Sequence, residues 1–368
     1  MMTRDDMSDI TELTSYQKLA KRLDSLPSGF PATPDGMELR LLAKLYSPEE
    51  AELASQLRLT LETSEQIAAR IGGDAAVLRK QLKEMSIRGL ISAGKTRGGL
   101  GFGLMPFVVG IYEMQFASID TELAELFESY YNQGFRKLLE VQPPVHRVIP
   151  INESIPIGLE VHPFESAAEI IASNKSWGVL DCICRKQKML IGQPCQHPLD
   201  VCMAMSTVPG AFDHSTTIRA LTQEEALQVL HRAAEAGLVH SVSNNQDGLW
   251  YICNCCTCSC GILRGMSELG LAGVVARSAF VNTVDSELCV LCGDCIDHCQ
   301  FNALSMEETL NIDTQRCAGC GVCVLACQEG ALQLVLRPET EITPPPIREM
   351  DWMKARARSR ELDLDEVL

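Results

Sequence analysis

The chain of 368 residues is too long for one small domain and sits in the range of two or three. Its net charge of -16 argues against a surface built to coat nucleic acid or anionic lipid, while a hydrophobic content of 46% is enough to fill ordinary cores. The 17 cysteines cluster at short spacings in the C-terminal half, which is the pattern of metal ligands and excludes a disulfide framework.

Residues 1–36 are polar, with Pro27, Pro31 and Pro34 interrupting any regular pattern, and read as a leader with one short helix over 15–26. The leader lacks a charged segment followed by an apolar one, and the apolar run around 104–111 is too short to span a bilayer. No membrane span and a reducing cytoplasm are therefore expected. Ser47, Pro48 and Glu50 open a helix, with an N-cap, a proline at the first position and a glutamate at the third. Thr63 and Gln66 open a second, which Gly72 and Gly73 stop. A third starts at Asp74 with Leu78, Leu82 and Met85 on one face, and two short strands at 90–92 and 102–105 flank a glycine-rich tip. Three helices followed by a hairpin is the winged-helix order, and residues 59–105 resemble that family in element order. A helix over 120–140, anchored by Leu123, Leu126, Tyr130 and Tyr131, completes a winged-helix-like domain at 37–140.

Pro143 and Pro144 then break the chain, and the texture changes. Strands at 147–151, 177–184, 238–242 and from 249 alternate with helices at 163–173 and 222–237, giving a small α/β module over 141–280 whose strand ends deliver thiols. After the cysteine-rich repeat at 281–337, residues 338–368 form a proline-rich spacer around Pro344, Pro345 and Pro346 and then a charged helix on a solvated tail. The fold class expected is α+β.

Cys289, Cys292, Cys295 and Cys299 fall at C-x2-C-x2-C-x3-C, and Cys317, Cys320, Cys323 and Cys327 repeat that spacing 28 residues later. At the same offset Asp285 maps to Asp313, Gly293 to Gly321, Gln300 to Gln328 and Leu304 to Leu332, which marks a duplicated half-domain. Three thiolates on one tight loop reach three irons of a cube, and glycine lets the backbone approach the sulfides. Zinc fits this spacing poorly, because its thiolate sites use paired C-x2-C knuckles separated by a longer loop.

The repeat resembles the bacterial dicluster ferredoxins, in which the last cysteine of each run ligates the other cluster. That resemblance implies two 4Fe-4S clusters. Cys289, Cys292, Cys295 and Cys327 hold the first, and Cys317, Cys320, Cys323 and Cys299 the second. The ferredoxins usually follow the fourth cysteine with proline; here Gln300 and Gln328 stand instead, which bears on burial and potential rather than on ligation.

Nine cysteines remain: Cys182, Cys184, Cys195, Cys202, Cys253, Cys255, Cys256, Cys258 and Cys260. Thiols this dense invite oxidation unless metal holds them, so they are candidate ligands. They suffice for one further 4Fe-4S cluster with spares, for two, or for one cluster and a structural zinc; at least one further cluster is favoured, drawing on both groups. With the dicluster repeat, this arrangement resembles a group of anaerobe multi-cluster iron-sulfur proteins over residues 36–338, which implies architecture more than mechanism. Arg185 and Lys186 read either as counter-charges to a cluster or as a solvated pair, His197 as a weaker ligand candidate, and His298 as a neighbour of Cys299.

No catalytic residue is identified, and no phosphate-cradling, dinucleotide-binding or nucleophile-elbow motif appears, so enzymatic activity stays open. The expected function is an electron-transfer protein or subunit of an anaerobic oxidoreductase complex, with redox proteins as partners. The alternatives are a redox-sensing regulator and a reductase with its site at the middle cysteines. The regulator draws on eight Lys or Arg against four Asp or Glu between Arg58 and Arg97, but DNA is the less favoured partner for so acidic a chain.

Overall fold

The computed structural model describes residues 4–156, 158, 159 and 161–368. They divide into two compact units, one formed by the chain up to Val141 together with Met353–Leu368, the other by Gln142–Trp352.

The first unit is mainly helical: α1 (Arg4–Asp24), α2 (Met37–Leu45), α3 (Pro48–Ser55), α4 (Ser64–Ile71), α5 (Ala75–Ile87) and α6 (Thr121–Gln133). Both anticipated capping boxes form, Ser47 with Glu50 and Thr63 with Gln66, and the Asp74 carboxylate accepts from the amides of Ala76 and Val77. Strand β1 (Glu62–Thr63) precedes α4, and β2 (Ser92–Thr96) and β3 (Gly99–Gly103) form a hairpin after α5, giving a sheet of order β1-β3-β2. The strands lie closer to the turn than the sequence suggested, because Thr96 pairs with Gly99 and the glycine-rich stretch is itself the central strand.

The first helix is longer than the expected 15–26, and Tyr16, Leu19, Ala20 and Leu23 form a buried stripe at helical spacing. The helix expected over 120–140 ends at Gln133, and a 3-10 turn at Phe135–Leu138 continues it. Its aromatic face stacks Phe127 on Tyr112 with centroids 3.6 Å apart, and Tyr130 packs on Phe30.

The C-terminal segment departs from the solvated tail that its charge suggested. Within it lies most of helix α13 (Glu349–Ser359), and Arg356 is only 1% exposed. Its guanidinium donates to three backbone carbonyls of the same unit, Pro27 at 3.0 Å, Leu138 at 3.0 Å and Val141 at 2.5 Å. Burial pushes its pKa down, with Arg360 adding repulsion, to about 10, so the charge remains at neutral pH. Leu59 donates its amide to the carbonyl of Val367 at 2.8 Å, and Arg22 to that of Glu366.

The second unit is built on a seven-stranded sheet of order β10-β4-β8-β9-β6-β5-β7. Its strands are β4 (His146–Val148), β5 (Ser176–Asp181), β6 (Asp200–Ser206), β7 (Arg219–Leu221), β8 (Val239–Ser243), β9 (Tyr251–Cys255) and β10 (Val275–Ala276). Only β10 with β4 is parallel. Helices α7 (Ala167–Ala172) and α9 (Gln223–Glu235) close the core, where Ile170, Val179, Val201, Met203, Leu230 and Ile252 are buried.

Strand β6 has no counterpart in the sequence reading, although its alternation of buried and half-buried residues is regular. The strand expected over 177–184 stops at Asp181. Cys182 instead caps α8 (Ile183–Leu190), whose Arg, Lys and Gln residues favour helix, so Cys184 sits on its first turn. Helix α10 (Arg264–Leu269) follows the second cysteine group. The C-terminal repeat pairs β11 (Phe280–Val284) with β14 (Leu332–Leu336) and β12 (Leu304–Met306) with β13 (Leu310–Ile312), enclosing two short helices, α11 (Asp294–Asp297) and α12 (Val322–Ala326).

Replacing Arg356 with alanine leaves three inward-facing carbonyls without their charged donor, and a hydrogen bond to a charged group contributes roughly 1.5–3 kcal/mol. The expected loss for Arg356→Ala is therefore about 3 kcal/mol or more, read by urea denaturation followed in the far-ultraviolet circular dichroism. A loss under about 1 kcal/mol would mean that the segment contributes little to this unit.

Candidate metal centre

The two halves of the C-terminal repeat are near copies in hydrogen bonding. Asp285 donates its amide to Ala331 and Asp313 to Ala303, both at 2.8 Å, and the amides of Cys289 and Cys317 bond back to those aspartates at 3.1 and 2.9 Å. Gly293 and Gly321 precede α11 and α12 with φ of 91° and 81°, the left-handed conformation that glycine adopts without strain. These turns aim the cysteines inward.

Cys289, Cys292, Cys295 and Cys327 line one small pocket with Leu310 and Leu332. Burial pushes the Cys295 thiol up to about 11, and Cys292, Cys327 and Cys289 add repulsion. Cys299, Cys317, Cys320 and Cys323 form the second group. Burial raises the thiols of Cys299, Cys320 and Cys323, and their charges repel one another. Donors to sulfur are in place as well: Ala303 N–H to Cys299 Sγ at 3.4 Å, Ala331 N–H to Cys327 Sγ at 3.3 Å, and the Asn282 amide to Cys323 Sγ at 3.2 Å. Thiols that resist ionising in a dry pocket, yet have donors aimed at them, suit a cationic iron cluster that holds them as thiolates. Cys295 and Cys323 share one apolar core with Leu304, Leu310 and Leu332.

In the middle module six cysteines form a closed ring of neighbouring thiols. Cys182 neighbours Cys184 and Cys202, Cys202 neighbours Cys253, Cys253 neighbours Cys255, Cys255 neighbours Cys260, and Cys260 neighbours Cys184. The register explains the gathering. Leu180 of β5 pairs with Cys202 of β6, Met203 with Ile252 of β9, and Cys253 and Cys255 of β9 with Ser241 and Val239 of β8. Cys182 is held low by hydrogen bonds from Cys184 and Cys202, with Arg185 contributing. Arg185 is only 2% exposed, so it is no solvated residue; it donates to the carbonyls of Pro198 at 2.8 Å and of Asn254. Lys186, by contrast, is partly exposed beside Asp181 at 3.4 Å.

The other three middle cysteines stand apart from the ring. Cys195, Cys256 and Cys258 gather with His197, and the four ligand atoms all lie within 4.8 Å of one another. The Cys258 sulfur is 3.7 Å from His197 Nδ1 and 3.1 Å from the Cys256 sulfur. His298 is exposed, and its Nδ1 lies 2.8 Å from the Asp294 carbonyl.

Some contacts were not anticipated from the sequence. Asn254, fully buried between two cysteines, donates to the Val201 carbonyl and meets His240 Nδ1, both at 2.5 Å. Gln300, where the ferredoxins usually carry proline, accepts from both the amide and the hydroxyl of Thr257 at 2.9 Å and donates to the Gly237 carbonyl at 3.1 Å. Thr257 lies between Cys256 and Cys258, so this side chain joins the two cysteine regions. Gln328, its counterpart in the repeat, is exposed.

Among the described residues no helix is long and apolar enough to cross a membrane. No curated protein and no solved structure matches the chain. Residues 288–331 match the family model described as a 4Fe-4S dicluster domain. The chain is thus a mixed helix-and-sheet iron-sulfur protein with a C-terminal dicluster ferredoxin domain and a cysteine-rich region upstream, an equipment for electron transfer.

Proposed function

We propose that this chain is an electron-transfer protein, or the electron-transfer subunit of an anaerobic oxidoreductase complex, handling low-potential electrons at two 4Fe-4S clusters and one further cluster. The observation that carries the proposal is the crossed ligand set: Cys327, from the second half of the repeat, shares a pocket with Cys289, Cys292 and Cys295 from the first. Cys299 crosses the other way, into electrostatic contact with Cys317, Cys320 and Cys323. We assign the first cluster to Cys289, Cys292, Cys295 and Cys327, and the second to Cys317, Cys320, Cys323 and Cys299. Such clusters, when bound, supply one-electron couples whose potentials follow hydrogen bonding to sulfur and burial. One apolar core takes in cysteines of both ligand sets and keeps the sets adjacent.

The further cluster belongs at the six-thiol ring, with Arg185 as its buried counter-charge. Gln300 joins the repeat to the middle module, since the residue after one cluster ligand accepts from Thr257, between Cys256 and Cys258. The reading of residues 37–140 as a winged-helix-like domain rests on the order α3, α4, α5 and hairpin, together with the three-stranded sheet. A redox-responsive DNA-binding regulator is the second reading. It is favoured by exposed Arg79, Lys80 and Lys83 on α5 and opposed by the charge of -16. A reductase draws less support, because the large cleft lined by Arg147, Phe164, Glu165 and Arg337 has no cysteine in its wall.

Purified without oxygen, the protein is expected to carry at least about eight irons and eight sulfides, and to give interacting reduced-cluster signals in electron paramagnetic resonance. Fewer than about eight irons in freshly isolated protein would sink the two-cluster assignment. A Cys327→Ser exchange should damage one cluster, lowering iron by about one to four per chain and simplifying the signal to that of an isolated cluster. A sequence-specific, salt-dependent gel shift would move the balance to the regulator.

Gln300→Ala should lower the unfolding free energy by about 1–2 kcal/mol, since it removes the acceptor of the Thr257 amide and hydroxyl and the side-chain donor to the Gly237 carbonyl, whereas Gln328→Ala should stay within about 0.5 kcal/mol. Denaturant unfolding of the iron-loaded protein compares them. Equal effects would show that Gln300 does not hold the two regions together.

A further inference from the structure

The geometry points to a mononuclear zinc site formed by Cys195, His197, Cys256 and Cys258, separate from the iron sites. It takes from the proposal above only that the ring of six thiols is the iron-binding part of the middle module.

Distance decides between one ion and a cluster. Tetrahedral zinc with Zn–S near 2.3 Å and Zn–N near 2.0 Å sets its ligand atoms roughly 3.5–3.8 Å apart. Thiolates capping the corners of an iron cube must stand roughly 6 Å apart, because the irons lie between them. The four ligand atoms here all fall within 4.8 Å, and the Cys258 to His197 separation is 3.7 Å, the length of a single-ion edge. Among the described residues this is the one group of His, Cys, Asp or Glu side chains so closely gathered, and no three thiols of the ring or of the dicluster repeat match it. The four ligand atoms thus stand at single-ion spacing.

Ligand chemistry agrees. Three thiolates and one imidazole make a closed, structural zinc set, and for a mixed nitrogen and sulfur site of this kind zinc outcompetes ferrous iron. Binding displaces the thiol protons to solvent, leaving one net negative charge on the zinc with its three thiolates. Arg185 lies beside it: its guanidinium stands near Cys256 and feels the charge of Cys182 and Cys202 on the ring side, so one buried cation serves both centres.

The sequence places the ligands as two short pairs, Cys195 and His197 on the irregular segment between α8 and β6, Cys256 and Cys258 on the turn after β9. Neither segment has a regular ladder to hold it. An ion bound across them fixes the turn whose middle residue, Thr257, receives Gln300.

The test uses the full chain, expressed in medium supplied with both metals, purified without oxygen and dialysed against a weak chelator. Elemental analysis should give one zinc per chain in addition to the iron, and zinc-edge X-ray absorption should fit three sulfurs at about 2.3 Å and one nitrogen at about 2.0 Å. Cys258→Ser and His197→Ala should each reduce zinc at least about fivefold while leaving iron content and the reduced-state resonance unchanged. Zinc absent from the wild-type protein, a shell of four sulfurs without nitrogen, zinc retained in both variants, or iron lost from Cys258→Ser would each overturn the site. Should either variant fail to fold, the absorption spectrum of the wild-type protein decides alone. Zinc missing from a protein with full iron refutes only this site, and zinc present with fewer than about eight irons refutes only the dicluster assignment.

Discussion

A sulfur atom in a dry pocket carries negative charge only if positive charge stands beside it, and the metal-binding unit of this chain is arranged around that constraint. In the C-terminal repeat Cys295, Cys320 and Cys323 are buried and resist ionising, while backbone and asparagine N–H groups point at sulfurs of the same repeat. In the middle module the same need is met partly by protein, through an arginine that is 2% exposed. Its cost in desolvation is offset by the sulfurs on one side and by two carbonyls on the other. The seven-stranded sheet exists in this context as a frame, with Cys182 just after β5, Cys202 near the start of β6, and Cys253 and Cys255 at the end of β9.

What could be read in the sequence depended on whether the signal was local. The dicluster repeat is a local spacing pattern, so its cysteines could be read as cluster ligands from residue numbers, and the resemblance to the dicluster ferredoxins implied the crossed sets. The capping boxes at Ser47 and Thr63 are local in the same sense, with donor and acceptor three residues apart. The grouping of the middle cysteines was not local. It follows from strand register, as where Leu180 meets Cys202, and from Cys184 standing on a helix rather than a strand. Adjacent Cys255 and Cys256 go to different groups, and nothing in their sequence neighbourhood separates them.

The missed elements follow the same rule. β6 alternates cleanly, but in the sequence only Cys202 stood out, as a candidate ligand and not as part of a strand. Gln300 was legible only as a departure from a ferredoxin pattern; its meaning lay in Thr257, 43 residues earlier. The charged C-terminal segment read as solvated because charge is usually outside, yet Arg356 is buried with three carbonyls that no sequence pattern associates with it.

That buried arginine also orders events in time. The segment Met353–Leu368 completes a unit that began before Val141, with the entire metal-binding unit encoded in between. On a ribosome, the intervening stretch emerges in full while the unit around it still lacks its closing piece. The stretch that carries every cysteine is therefore made before the piece that closes the helical unit, so the first-made unit is the last to be completed.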